Sequence, residues 1–176
     1  MNDNIKEYVI LVDRADRFAG QMEKMEAHRK AELHRAFSVF VLNSDDQLIL
    51  QRRAMKKYHS PGLWTNTCCS HPRPGEETEQ AAHRRLQEEM GFDCALEKVF
   101  DFVYRADVGK GLTEYEFDHV FFGRFDEVPV INTDEAMDWK SMSLDEIKED
   151  MDRNPADYTI WFRIAFQRFH EFVRSL

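Results

Sequence analysis

The sequence predicts a mixed α+β sandwich folded as one domain over residues 1–176. Three observations carry that expectation. Runs of β-branched and aromatic residues come early in the chain and return after residue 95. One helical segment between them ends on a glycine. A strongly amphipathic segment closes the chain.

In order, "YVILVD" (8–13) reads as a strand and Arg17 to Gly20 as a turn. "EKMEAHRKAELH" (23–34) has helix-forming composition without a clean apolar face, which predicts an irregular or partly helical approach. In "RAFSVFVLNSDDQLILQRR" (35–53) two apolar runs flank the polar turn "NSDD", a β-hairpin pattern. Pro61 and Gly62 make a turn of "HSPGLW". In "EETEQAAHRRLQEEMG" (76–91), Ala82, Leu86 and Met90 recur every four residues and Gly91 supplies the C-terminal stop of a helix. "LEKVFDFVYRA" (96–106) and "TEYEFDHVFFGRF" (113–125) read as strands. Ser143 and Glu146 stand at capping-box spacing ahead of a helix over 143–151. Trp161, Ile164, Ala165, Phe169 and Phe172 share one stripe of 158–173, which predicts a helix packed on the sheet. No repeat or long linker divides the chain.

Hydrophobic residues make up 43% and charged residues 32%, the balance of a soluble globular chain. No apolar run approaches the roughly 20 residues that span a bilayer. The N-terminus lacks the basic, then apolar, pattern of a secretory leader. The expectation is a cytoplasmic protein without membrane contact. A net charge of −9 repels a phosphate backbone and argues against nucleic-acid binding. A local basic cluster can still hold a small phosphorylated molecule. Cys68, Cys69 and Cys94 make an odd count, which argues against a disulfide framework. Neighbours on an extended chain point to opposite faces, so one of Cys68 and Cys69 can face a cavity while the other faces the core.

Four clusters can carry chemistry. On a strand, Glu114, Glu116 and Asp118 share one face, and Tyr115, Phe117 and His119 the other. Adjacent carboxylates repel unless they are solvated, protonated or metal-bound. The segment is therefore either a solvated face or a cation site, or it holds a carboxyl of raised pKa. His28, His34 and His71, added to the paired glutamates, would make a mixed nitrogen and oxygen sphere suited to Zn²⁺ or Mn²⁺. Singly, each reads as an ordinary surface or core histidine. His59, His83, His119 and His170 have no such company and read as structural. Arg84–Glu88 and Arg85–Glu89 stand at i,i+4, either as surface ion pairs or on a helix whose acids hold Mg²⁺ against a diphosphate. Lys24, Arg52, Arg53, Lys56 and Lys57, with Arg85, are either a solvated basic patch or an anion site.

"SHPRPGEETEQAAHRRLQEEMGF" (70–92) resembles the Nudix box, a loop–helix–loop that binds metal–diphosphate groups. Glu76, Arg84, Leu86, Glu88, Glu89 and Gly91 fall on its pattern. Ser70 replaces the usual Gly, and Arg85 replaces the first Glu of the acidic cluster. "EAHRKAELHRAFSVFVLN", "PGLWTNTCCSHP", "YRAD", "TEYEFDHVF" and "DEAMDW" together are similar to type I isopentenyl-diphosphate Δ-isomerases, from about residue 5 to the end. The resemblance implies a Nudix-type α/β/α sandwich with a mixed sheet and an N-terminal extension. It implies conversion of isopentenyl diphosphate to dimethylallyl diphosphate by a monomer or weak homodimer, in isoprenoid biosynthesis. It makes Cys69, Glu116 and Tyr104 catalytic, with Glu116 aided by Tyr104 delivering a proton and Cys69 removing one as thiolate. It puts one Zn²⁺ or Mn²⁺ on His28, His34, His71, Glu114 and Glu116. Glu89 would help hold Mg²⁺ against the diphosphate. It gives Lys24, Arg53, Lys57 and Arg85 to the diphosphate and Trp161 to the carbocation. On the residues alone, a Nudix hydrolase of another organic diphosphate and a non-enzymatic binding domain stay open.

Overall fold

The computed structural model describes residues 6–176, so the start of the resemblance and the first residues of the leader reading lie outside it. Nine strands and four α-helices make up the described residues. They are β1 (Tyr8–Val12), β2 (Phe18–Glu23), α1 (Lys24–Lys30), β3 (His34–Leu42), β4 (Gln47–Arg53), β5 (Trp64–Thr65) and β6 (Cys68–Ser70). After these come α2 (Thr78–Met90), β7 (Leu96–Gly109), β8 (Leu112–Arg124), β9 (Ala136–Ser143), α3 (Leu144–Arg153) and α4 (Ile160–Arg174). No helix of the described residues is long and apolar enough to cross a membrane.

β3 organises the sheet. It pairs in parallel with β8 along its whole length, from His34↔Glu116 to Leu42↔Arg124. A strand has two edges, so its other edge is shared in turn by β1, β6 and β4. β7 continues the sheet antiparallel to β8, and β9 lies antiparallel to β4. Alternation along β3 sends Phe37, Val39 and Val41 to one face, where Ala81, Ala82, Leu86 and Met90 of α2 cover them. Phe40 and Leu42 face the other way, under Trp161, Phe162, Ala165, Phe166 and Phe169 of α4 and Leu144 and Ile147 of α3. The layers are helix, mixed sheet, helix, as the sequence predicts.

Two expectations are corrected and one, the hairpin, holds in shortened form. The turn expected over Arg17–Gly20 lies earlier, where Asp16 takes a left-handed backbone (φ 60°), and Phe18 already belongs to β2. Asp13 drives this shift, because its carboxylate accepts from the backbone N–H of Ala15 and Arg17. The hairpin over 35–53 closes at its tip, with Leu42↔Leu48 the recorded pair, because β6 takes the place beside β3 and β9 the place beside β4. On α4, Ile164 is exposed while Phe162 and Phe166 are buried, so the apolar stripe is broader and rotated. The helix ends follow the sequence. Ser143 and Glu146 form both halves of the capping box, and Gly91 caps α2 at φ 74°.

Candidate active site

β3 and β8 run side by side, and the register His34↔Glu116 sets an imidazole next to a carboxylate. β6 brings His71 to the same spot from the far edge of β3, and α1 delivers His28 from above. His28, His34, His71, Glu114 and Glu116 each offer one ligand atom, and those atoms all lie within 4.8 Å of one another. The five residues expected from the sequence are thus assembled into one group.

The ring tautomers of His28 and His34 suit a cation. His28 Nδ1 donates to Lys24 O at 2.6 Å, and His34 Nδ1 to Glu32 O at 2.8 Å. A ring N–H fixed on a carbonyl leaves the other ring nitrogen free to act as a ligand. His28 Nε2 and Glu114 Oε2 stand 3.4 Å apart, both buried and both without a hydrogen-bond partner among the described residues. Buried polar atoms left in this way are costly. A divalent ion between them would satisfy both, so the residues fit the metal that the resemblance implies. His34 Nε2 and His71 Nε2 lie 3.3 Å apart, and Glu116 Oε1 is 2.8 Å from His71 Nε2. Burial pushes His71 down to about 4, with the neighbouring rings of His34 and His28 adding to the effect against the pull of Glu116. It is therefore neutral near pH 7, the form that binds metal.

Burial works against the charge of Glu114, but His28 and His59 outweigh it and hold its carboxyl well below the ordinary range. Asp118, one pleat further along β8, goes the other way. Burial and the nearby Glu116 raise it well above the usual carboxyl range, against a 2.8 Å hydrogen bond from Ser38 Oγ. The strand face is buried rather than solvated, and the carboxyl of raised pKa is Asp118.

A cavity of about 900 Å³ opens beside this group. Cys69, Tyr104 and Trp161 line it. Cys68 packs fully buried against α2, while Cys69 faces the α4 side, as strand alternation predicts. All three cysteines are free thiols. Burial pushes the Cys69 thiol up to about 12, which favours the protonated sulfur over the thiolate that the resemblance implies. Tyr104 Oη donates to Glu116 Oε2 at 2.6 Å. Trp161 is 3% exposed, with the Arg53 guanidinium 5.1 Å from its ring centroid.

The same cavity is lined by Lys24, Arg53, Lys57 and Arg85, the four cations expected to meet a diphosphate. Arg85 sits where hydrolase boxes carry an acid. Its guanidinium meets Glu89 Oε1 at 2.5 Å, Glu88 Oε2 at 2.8 Å and Glu135 Oε1 at 3.3 Å. Lys57 pairs with the other oxygen of Glu135, and Lys24 with Glu7. Glu89 is buried beneath Arg85, where it also accepts from Gln51, and lies outside the five-donor group. Arg84 grips Glu76 with two hydrogen bonds, at 2.6 and 2.9 Å, which ties the loop of residues 70–77 to α2.

The sequence reading missed His59. It is 3% exposed, lines the cavity, and its Nε2 lies 2.6 Å from Glu114 Oε1. "HSPGLW" carries only a turn signal, and nothing in its spacing announces a partner on β8.

A family model described as NUDIX domain matches residues 32–162. An isopentenyl-diphosphate Δ-isomerase 2 of Aromatoleum aromaticum is 55% identical over 164 residues, 93% of this chain and 87% of its own length. An isopentenyl-diphosphate Δ-isomerase of Pectobacterium atrosepticum is 54% identical over 167 residues, 95% of this chain and 93% of its own length. Among solved structures, DR0079 of Deinococcus radiodurans aligns with a TM-score of 0.76 at 21% identity, covering 92% of this chain and 98% of that one. That last likeness is one of fold.

Proposed function

This chain belongs to the Nudix family and, within it, to the isopentenyl-diphosphate Δ-isomerases, and from that premise we propose that Cys69 and Glu116 exchange protons with the substrate from two walls of the cavity. The enzyme interconverts isopentenyl diphosphate and dimethylallyl diphosphate in isoprenoid biosynthesis. The observation that carries the residue assignment is the Tyr104–Glu116 hydrogen bond beside the five-donor group, on a cavity that Cys69 also lines.

An unactivated alkene is a weak base. Protonating its terminal carbon gives a tertiary carbocation, and loss of a proton from C2 completes the shift. Two proton-transfer groups on opposite faces of the reacting carbons are required. β6 and β8 flank β3, so Cys69 and Glu116 stand on strands roughly 10 Å apart across the sheet. The Cys69 thiol gives its proton to the terminal carbon. The Glu116 carboxylate takes the proton from C2, and Tyr104 steadies its Oε2 throughout. In the reverse reaction the two groups exchange roles.

The cation forms against the Trp161 face, a contact worth about 2 kcal/mol or more when desolvated. The enclosed wall also excludes water, which would trap the cation as an alcohol. Lys24, Arg53, Lys57 and Arg85 hold the diphosphate, and binding there positions a small apolar tail. Glu89 is the residue that would help hold Mg²⁺ with the diphosphate, and the ion would offset the phosphate charge. His28, His34, His71, Glu114 and Glu116 would hold Zn²⁺ or Mn²⁺, which would supply a fixed positive charge that anchors the Glu116 carboxylate. The enzyme acts in the cytoplasm as a monomer or weak homodimer, without nucleic acid or membrane partners.

The test is formation of an acid-labile allylic diphosphate from isopentenyl diphosphate, with Cys69→Ala and Glu116→Gln alongside. Both variants abolish it. Release of phosphate by the wild-type protein, with Cys69→Ala fully active, would instead establish a hydrolase.

A further inference from the structure

Glu114 has two oxygens with different surroundings. Oε2 faces His28 without a hydrogen-bond partner among the described residues, while Oε1 meets His59 Nε2 at 2.6 Å. His59 belongs to neither the five-donor group nor the four diphosphate cations. We propose that His59 is a positioning residue of the metal centre, holding Glu114 by one oxygen so that the other is presented to the ion beside His28. The proposal rests on reading the five-donor group as a metal site.

The ring is fixed on every side. Its Nδ1 lies 3.2 Å from Ser60 Oγ, whose hydroxyl can donate to it and leave the N–H on Nε2, pointing at Glu114. Tyr58 meets the ring edge-on at a centroid distance of 4.4 Å, and Trp161 does the same at 5.5 Å. The His59 carbonyl accepts from the Arg53 guanidinium at 3.1 Å. Ser60, next in the chain, takes a left-handed backbone at φ 49°. A carboxylate free to rotate in a ring of donors can bind with either oxygen or both. One held at Oε1 is restricted to Oε2, which lowers the entropy lost when the ion binds. The same ring touches Trp161, so the metal centre and the wall that meets the carbocation share one side chain.

The experiment titrates Zn²⁺ into the metal-depleted full chain against a chromophoric chelator, in wild type and in His59→Phe, His59→Gln and His59→Ala. Phe keeps the flat ring between Tyr58 and Trp161 but cannot donate. Gln keeps a donor at similar reach. Loss of an outer hydrogen bond to a metal ligand costs about 10- to 100-fold in affinity. The expected result is a loss of that size for Phe and Ala, with Gln within about threefold of wild type. A folded Phe variant that binds Zn²⁺ like wild type overturns the proposal. If Phe fails to fold, equal affinities of Gln and Ala overturn it. A wild-type affinity unchanged by His34→Ala would overturn the metal site itself, and isomerase turnover by the wild type reports separately on the reaction.

Discussion

Tyr104 and Glu116 sit directly opposite each other on β7 and β8, and the phenol donates to Glu116 Oε2 at 2.6 Å while Oε1 of the same carboxylate faces His71. One carboxylate is thereby tied to both Tyr104 and the five-donor group. Tyr104→Phe removes the hydrogen bond and keeps the ring. It should lower kcat by about 10- to 100-fold with KM nearly unchanged, because the residues proposed to hold the diphosphate are Lys24, Arg53, Lys57 and Arg85. Steady-state kinetics on isopentenyl diphosphate checks this, and a raised KM at constant kcat would contradict it.

The adjacent cysteines should separate cleanly. Cys68→Ala leaves turnover in place and lowers stability by about 1 kcal/mol, since Cys68 packs against α2. Cys69→Ala eliminates turnover. With its thiol pushed up to about 12 by burial, Cys69 in the metal-depleted protein should alkylate slowly at neutral pH. Its rate should rise about tenfold per pH unit through pH 10, followed by mass spectrometry of the labelled peptide. A plateau near pH 8 would mean that burial does not control this thiol.

Burial of His71 links stability to pH. Its folded value of about 4 lies below the ordinary 6.5, so between those values the unfolded chain binds more protons at this ring than the folded one. Its contribution to stability is therefore intact above pH 6.5 and lost as pH falls toward 4, at up to about 1.4 kcal/mol per unit. Denaturant titrations of metal-depleted wild type and His71→Gln should diverge in that window, with the wild type losing more stability on acidification.

Removing bound metal should lower the thermal midpoint, because an ion that binds only the folded chain stabilises it by mass action. With His28, His34, His71, Glu114 and Glu116 as the site, chelation should abolish turnover, and Zn²⁺ or Mn²⁺ should restore both turnover and midpoint. Scanning calorimetry before and after chelation provides the check.

Gly91 should be intolerant. It combines φ 74° with a neighbour so close that an added Cβ would lie 2.1 Å from Val130 O. Gly91→Ala must move backbone on both sides, which should destabilise the fold by about 2 kcal/mol or more. An unchanged unfolding midpoint would show that the loop around Val130 yields freely.

Much of this was legible in the chain because it depends on neighbours within a few residues. Strand alternation put Cys68 and Cys69 on opposite faces and Glu114 and Glu116 on one. The Ser143–Glu146 box and the Gly91 stop gave two helix ends. β9 was not read, since "AMDWKSMS" mixes exposed and half-buried positions without strict alternation. The displaced turn near Asp16 went unread because an Asx bend competes with the stronger glycine signal at Gly20.

The sequence by itself determined which side chains share a face, where the helices stop, and, by resemblance, which residues to group as metal donors and diphosphate cations. Tertiary structure decided the partners. His59 on Glu114, Glu135 bridging Lys57 and Arg85, and Asp118 buried with Ser38 all join segments far apart in the chain. Periodicity and capping arise from short-range backbone geometry, which local sequence encodes. Contacts between distant segments depend on sheet register and loop closure, which are fixed only when the whole core packs.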